Sequence, residues 1–163
     1  MKKSTVLLLI AVYIIAFFVV GLRGMELRSH YQVSYINEIQ VIPFEEMGMT
    51  LTEDIKTDLN KDEAKESLKR YTHDYKYRIN YADNMVLKFD VKLIPSNTTI
   101  SEFQFYMDET YLKMCTPTVD NSDKTIFISN ISKPILSKSE IRFTVSDSQM
   151  NGVTSTVSVI IKK

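Results

Sequence analysis

The sequence predicts a mainly β protein: a β-sandwich outside the cytoplasm, preceded by an N-terminal transmembrane helix and a short mixed stalk. Three observations predict it. An uncharged apolar run lies near the N-terminus, apolar and polar residues alternate from residue 74 onward, and turn-forming residues separate the alternating segments every ~8–12 residues. The predicted boundaries are a cytoplasmic tail 1–4, a transmembrane helix 5–22, a stalk 23–73 and a β-domain 74–163.

The apolar run extends from Val6 to Leu22 and contains no charged residue. With the residues just before it, the run approaches the ~20 residues that a helix needs to cross a bilayer. A cleaved signal peptide is the alternative, but its apolar core is usually shorter and is followed by small residues at the cut site. Here Arg23 lies at the nearest candidate site. The sequence therefore favours an uncleaved anchor that contacts the lipid bilayer through residues 5–22.

Only weak sequence signals predict the orientation of this anchor in the membrane. Lys2 and Lys3 precede the apolar run, and Arg23 and Arg28 follow it, so the positive-inside rule is nearly balanced. Since the leading tail is very short, we expect the N-terminus to be cytoplasmic. This predicts a single-pass protein of the cell membrane whose C-terminal domain is periplasmic or extracellular.

The predicted stalk combines a strand and a helix. Residues 31–42 are rich in Tyr, Val and Ile and predict a strand that stops at Pro43. Residues 44–60 show no period. Asn60 is a candidate helix cap for a short helix over about 61–72, and His73 would lie at its exposed C-terminal end. Whether 31–72 belongs to the β-domain is left open.

The β-domain is predicted from period-two alternation. The first segment contains alternating tyrosines and ends before an Asp83-Asn84 turn, and the second alternates from Met85 to Leu93. Further alternation predicts strands at 103–107, continuing to 114, and at 126–131, 141–145 and 153–161. These segments amount to about seven short strands, which is typical of a β-sandwich.

The C-terminal part of this domain resembles an immunoglobulin-like or fibronectin type III module. The resemblance rests on an apolar residue that ends a strand, an aromatic–valine alternation, an Asn-Gly turn and a final strand of alternating valines, at Ile131, Phe143, Val145, Asn151-Gly152, Val157 and Val159. Two features depart from the pattern: no Trp is available for the core, and Ile141 stands where a Tyr often lies. The resemblance implies a spacer, adhesion or interaction module that extends over 74–163.

Composition excludes some functions. Lys plus Arg and Asp plus Glu number 20 each, but four of the basic residues lie in the first thirty, so the remainder is mildly acidic and does not suit nucleic-acid binding. The single cysteine, Cys115, excludes an intrachain disulfide. It is best interpreted as a small, buried apolar residue in a strand, and an intermolecular disulfide or a reactive thiol is the less favoured alternative.

No motif predicts catalysis or a cofactor. His30 and His73 are not at metal-ligand spacing, and no phosphate-binding or nucleophile motif occurs. Asp108, Asp120, Asp123 and Asp147 fall in predicted loops, where Ca²⁺ is one interpretation and ordinary turn chemistry the favoured one. We therefore predict no catalytic residue, no metal and no cofactor.

The predicted function is a non-enzymatic, membrane-anchored interaction or assembly protein. Its β-domain would dock another membrane or envelope protein through a sheet edge or through a tyrosine-rich face formed by Tyr71, Tyr75, Tyr77 and Tyr81. The alternative is a sensory or accessory subunit that binds a small ligand in the β-domain or at a partner interface. The sequence predicts no oligomeric state.

Overall fold

The computed structural model describes residues 13–17, 35–61, 69–96, 98, 102–148 and 152–163. Within these residues the protein is mainly β, and no helix is long and apolar enough to cross a membrane. Residues 13–17 are helical, and the rest of the predicted transmembrane segment 5–22 lies outside the described residues. The predicted fold class is corrected accordingly: the described architecture is β-sheet without the N-terminal transmembrane helix.

Two sheets make up the compact unit Ser34–Lys163. The four-stranded sheet has the order β1-β4-β7-β6, with every neighbouring pair antiparallel. Its strands are β1 (Glu38–Pro43), β4 (Leu87–Ile94), β7 (Thr125–Ser129) and β6 (Thr116–Asp120).

The five-stranded sheet has the order β2-β3-β9-β8-β5. Its strands are β2 (Thr50–Asp58), β3 (Tyr71–Asn80), β9 (Thr154–Lys162), β8 (Lys138–Asp147) and β5 (Phe103–Met107). The pair β3–β9 is parallel and the other pairs are antiparallel. β2 and β3 follow β1 in the chain but belong to the five-stranded sheet, and β2 lies at an edge of that sheet.

The core lies between the two sheets because each inner strand buries alternate side chains. In β4 the buried positions are Leu87, Phe89, Val91 and Leu93, as the alternation predicts. Phe89 contacts Phe143 of the opposite sheet edge-to-face, with ring centroids 5.2 Å apart. Such aromatic pairs contribute about 0.5–1.5 kcal/mol beyond the area that they bury. Period-two patterning thus places this part of the core correctly.

The prediction of a stalk separate from the β-domain is wrong. β1 pairs with β4 along its whole length, and β3 starts at Tyr71 and pairs with β9, so both strands belong to the sandwich. The predicted helix over 61–72 is wrong at its C-terminal end, where Tyr71 and Thr72 are strand residues, while 62–68 lie outside the described residues. The β-domain therefore begins well before residue 74.

Two smaller differences concern connections. The alternation predicted to continue from 103 to 114 breaks at Asp108, whose carboxylate caps a short helix, Glu109–Leu112, by accepting from the Thr110 backbone N–H at 2.8 Å. A 3-10 turn, Glu45–Met47, joins β1 to β2 and ends at Gly48 with a left-handed φ of 61°. The predicted Asp83-Asn84 turn is confirmed, and Asn84 has a positive φ of 59°.

Candidate interaction edge

The edge strand β2 is exposed on both of its faces. Every residue from Thr50 to Thr57 is exposed, and Asp58 is half-buried. Among the described strands, β2 pairs only with β3, so its other edge carries main-chain groups without a strand partner. A long open edge of this kind is a template for an additional strand. We call Thr50–Asp58 the β2 edge.

The other three sheet edges are less open to a strand. On β1, the carbonyl oxygens of Val41 and Ile39 accept hydrogen bonds from Tyr77 Oη and Ser155 Oγ of the opposite sheet, which occupies both acceptors. On β6, Pro117 lies within the strand and has no backbone N–H to donate. The fourth edge, β5, has five residues against nine in β2. The β2 edge is therefore the longest of the four and contains no proline.

A polar cluster joins the β2 edge to the rest of the sandwich. We define this cluster as Glu38, Asp54, Lys56 and His73. The Lys56 ammonium lies 2.7 Å from Glu38 Oε2, and the two ring nitrogens of His73 lie 3.0 Å from Glu38 Oε1 and 3.1 Å from Asp54 Oδ1. Glu38 and His73 are buried, whereas Asp54 and Lys56 are more than 40% exposed. The cluster thus runs from the sandwich interior to the exposed strand.

Two carboxylates, one ammonium and one imidazole meet within a small volume. Each ring nitrogen of His73 lies within hydrogen-bond distance of a carboxylate oxygen, one from Glu38 and one from Asp54. Burial by itself would raise the pKa of Glu38, but hydrogen bonds from Lys56 and Gln40, the Lys56 charge and the contact with His73 together hold it below its ordinary value. Lys56 also lies over the Tyr71 ring, 3.9 Å from its centroid. The contacts of Lys56 with Glu38 and Tyr71 therefore hold β2 against the rest of the sandwich.

The cluster does not form a metal site. Among the described residues, no group of three or more His, Cys, Asp or Glu side chains could hold a metal ion. His73 is also only 5% exposed and stacks on Tyr75, with ring centroids 5.0 Å apart. The prediction that His73 ends a surface helix is wrong, because period two begins at Tyr71 and turns the His73 side chain inward. His30 lies outside the described residues.

A shallow depression adjoins the β2 edge on the outer face of the five-stranded sheet. Its volume is ≈ 250 Å³, and it is bordered by side chains from β2, β3, β8 and β9. Its charged lining residues are three carboxylates and two cations: Glu53, Asp74, Glu140, Lys76 and Arg142. Ile55 lines the same depression and is 48% exposed. An apolar side chain therefore lies beside a mildly acidic surface at the strand edge.

The four tyrosines predicted as an interaction face do not share one exposed face. Tyr75 and Tyr77 are buried at 7% and 4% exposure, and Tyr71 and Tyr81 are half-buried. Burial and the Asp54 charge raise the pKa of Tyr77 to about 12, so its hydroxyl stays protonated and donates to the Val41 carbonyl at 3.0 Å. Alternation places Tyr75 and Tyr77 on the inner face of β3, and the bond from Tyr77 to Val41 joins the two sheets. Their contact with a partner stays a prediction.

Other predicted candidates have structural roles. Cys115 is buried, with Sγ 3.3 Å from the Tyr111 carbonyl, and burial raises its pKa. This confirms the prediction of a buried residue, although Cys115 lies just before β6. Asp120 accepts hydrogen bonds from the backbone N–H groups of Ser122 and Asp123, as turn chemistry predicts. Asp147 is buried at the end of β8.

The β2 edge is the functional candidate that sequence reasoning missed. Its sequence, TLTEDIKTD, has three threonines and one isoleucine, which are β-branched and favour strands. Its charged residues and the bulge between Leu51 and Glu53 break the alternation, so no period was visible. The β-branched content was the available signal, and it indicates a strand without indicating a buried face.

By its two packed sheets, the protein is a β-sandwich. Comparison with known protein families finds none that matches the chain, and comparison with curated proteins also finds no match. The fold class and the β2 edge are therefore the basis for any statement about function.

Proposed function

We propose that this protein is a non-enzymatic interaction module that binds an extended segment of another protein along the β2 edge. The observation that carries the proposal is the exposure of β2 on both faces together with its single strand neighbour. Strand addition at such an edge obtains affinity from main-chain hydrogen bonds and specificity from alternate side chains. The sequence predicts docking through either a sheet edge or a tyrosine-rich face. This proposal keeps the sheet edge and does not use the tyrosine-rich face.

The strand order supports an immunoglobulin-like module. Immunoglobulin constant-type domains place strands A, B, E and D in one sheet and C, F and G in the other. β1, β4, β7 and β6 follow the first order, and β5, β8 and β9 follow the second. β3 lies beside the last strand in parallel, and β2 is an addition outside this scheme. An added strand that buries little apolar surface is consistent with a role in binding.

The charges of the β2 edge favour a basic partner segment. Glu53, Asp54 and Asp58 outnumber Lys56, and the adjoining depression has an excess of carboxylates. Opposite charges directly across a strand pair contribute roughly 0.2–1 kcal/mol each. An extended segment with Lys or Arg on one face and an apolar residue opposite Ile55 would therefore match the edge.

The predicted partner class and location stay predictions. Another membrane or envelope protein is the expected partner, and the domain is expected outside the cytoplasm. The alternative of a small-ligand subunit also stays a prediction. The depressions lined by Glu46–Gly48, by Asp90–Ile94 and by the β2 residues all include exposed residues of the sheet surfaces and edges. None of these three favours ligand binding between the sheets.

Photo-crosslinking in cells tests the proposal. A photoreactive residue replaces Ile55 in the full chain, and the matched control replaces Ile42 of β1, which is 37% exposed. We expect one dominant protein adduct from position 55 and none from position 42. Charge reversal by Glu53→Lys, probed from Leu51, should reduce the yield of the same adduct because it repels a basic segment. Equal adducts from both positions, or none from position 55, would refute docking at β2.

A further inference from the structure

The connection between β7 and β8 exposes two adjacent apolar side chains. Ile135 is 93% exposed and Leu136 is 76% exposed. The same connection buries Ile131 and Pro134, which anchor it to the sandwich. The two exposed residues therefore project from an anchored segment, and their exposure is not the result of a missing local core. Isolated exposed apolar residues are common, but a nearly fully exposed Ile-Leu pair at a loop tip requires a further reason.

Four lysines border this apolar pair. Lys133 and Lys138 flank it in the chain, and Lys138 is paired with Lys162 in the β8–β9 register. The Lys163 backbone N–H donates to the Ser137 carbonyl at 3.1 Å, which brings the end of β9 to the same place. No ion pair to these four side chains occurs within the described part of the chain. We call residues 133–138 with Lys162 and Lys163 the basic tip.

We propose that the basic tip docks onto an anionic lipid bilayer, with Ile135 and Leu136 inserted at the boundary between headgroups and acyl chains. Apolar side chains gain free energy by leaving water at that boundary, and lysines bind anionic headgroups while their stems cover apolar surface. A protein partner fits less well, because stable protein interfaces bury about 800 Å² on each side. Two apolar side chains with four cations instead match a reversible lipid contact.

This inference is independent of strand docking at β2. The basic tip belongs to the β7–β8 connection and to the end of β9, and it shares no residue with Thr50–Asp58. Failure of one proposal therefore leaves the other unchanged.

A single tryptophan tests the proposal directly. The chain contains no Trp, so Leu136→Trp introduces a unique fluorophore that can be excited without the nine tyrosines. The full chain is mixed with vesicles of phosphatidylserine and phosphatidylcholine, or of phosphatidylcholine alone. Because the fluorophore lies at position 136, the emission reports the environment of the basic tip and not that of lipid contacts elsewhere in the chain.

We expect a blue shift of the emission, and quenching by brominated acyl chains, on the anionic vesicles. Each lysine near an anionic surface strengthens binding about fivefold, so Lys133→Gln with Lys138→Gln should weaken it about 25-fold. Ile135→Asp, introduced together with Leu136→Trp, should abolish the blue shift. The matched control is Tyr106→Trp on β5, a position that is 67% exposed, and its emission should not change with lipid.

Three results would overturn the proposal. The first is the absence of a shift at position 136 on anionic vesicles. The second is an equal shift on neutral vesicles that the lysine changes do not affect. The third is a protein crosslinked to position 135 in cells together with an unshifted emission on lipid, which would assign the tip to a protein partner instead.

Discussion

Glu38 is the residue at which the polar contacts of the two sheets converge. It lies on β1 of the four-stranded sheet, and its carboxylate contacts His73 and Lys56 of the five-stranded sheet as well as Gln40 of its own strand. Only 6% of Glu38 is exposed, so each of these partners compensates the cost of burying a charge. Loss of the charge on Glu38 should therefore weaken the attachment of the two sheets at this side.

The lowered pKa of Glu38 predicts an acid-dependent loss of stability. The unfolded chain has a Glu38 pKa near 4.5, and the folded chain has a lower one. Between these two values the unfolded state binds more protons, so the free energy of unfolding falls as the pH falls. The contribution is fully present above pH 4.5 and is lost below the folded pKa. Thermal unfolding of Glu38→Gln between pH 6 and about pH 3 should lack this component.

Glu53→Gln is the control for that experiment. Glu53 lies on β2 and forms an exposed ion pair with Lys76 at 3.4 Å, a contact of the kind that contributes little. Its pH profile should match that of the unaltered chain. A Glu38→Gln profile that also matches the unaltered chain would mean that the polar cluster does not contribute to stability in acid.

The buried position of His73 could not be inferred from its neighbours alone. In the sequence, the charged run of 61–70 favours a helix that continues to residue 72, which leaves His73 on a helix end. In the structure, Tyr71, His73, Tyr75 and Tyr77 form one inward-facing row of β3. The two carboxylates that make burial of His73 tolerable come from residues 38 and 54, which no local pattern connects to it.

At the scale of elements, β2 and β9 differ most in their burial and in their number of strand neighbours. β9 lies between β3 and β8, and its alternate residues from Ser155 to Ile161 are fully buried. β2 lies at an edge and has one neighbour among the described strands. Alternation is visible in a strand that has one face on the core, so β9 was predictable. A strand exposed on both faces has no such constraint, and β2 was therefore missed.

This difference predicts unequal protection from hydrogen exchange. Amides of β9 should exchange only through global unfolding, whereas amides of β2 should exchange through local opening of the edge. We expect the β2 amides to exchange faster by on the order of a hundredfold or more. Exchange measured by mass spectrometry on peptides from 50–58 and 154–162 checks this. Equal protection would show that another part of the chain or a second copy covers β2.

At the scale of the whole molecule, the sandwich requires strands from both sides of the predicted boundary at residue 74. β1 is hydrogen-bonded to β4 and contributes Ile39 and Val41 to the core, each with no exposed surface. β3 starts before residue 74 and forms the parallel pair with β9. Removal of residues before 74 would expose the edge of β4 and part of the core.

Truncation tests this boundary. A chain beginning at Ser34 should unfold cooperatively in urea, since it retains both sheets, whereas a chain beginning at Asp74 should not fold. Loss of Ile39 and Val41 alone removes two fully buried side chains, at ~1.5–3 kcal/mol each, from a total stability of about 5–15 kcal/mol. A cooperative transition in the shorter chain, detected by circular dichroism, would restore the boundary at residue 74.

The sequence by itself determined the mainly β character, the alternating core positions of β4, β8 and β9, the turn at Asp83-Asn84 and the burial of Cys115. These features depend on side-chain period and turn chemistry, which act over a few residues. Only the tertiary structure decided that β1 and β3 belong to the sandwich, that Tyr75 and Tyr77 face inward, and that Glu38, Asp54 and His73 meet. Strand partners and the sides of a sheet are set by long-range pairing, and a local pattern contains no information about which distant strand supplies the partner.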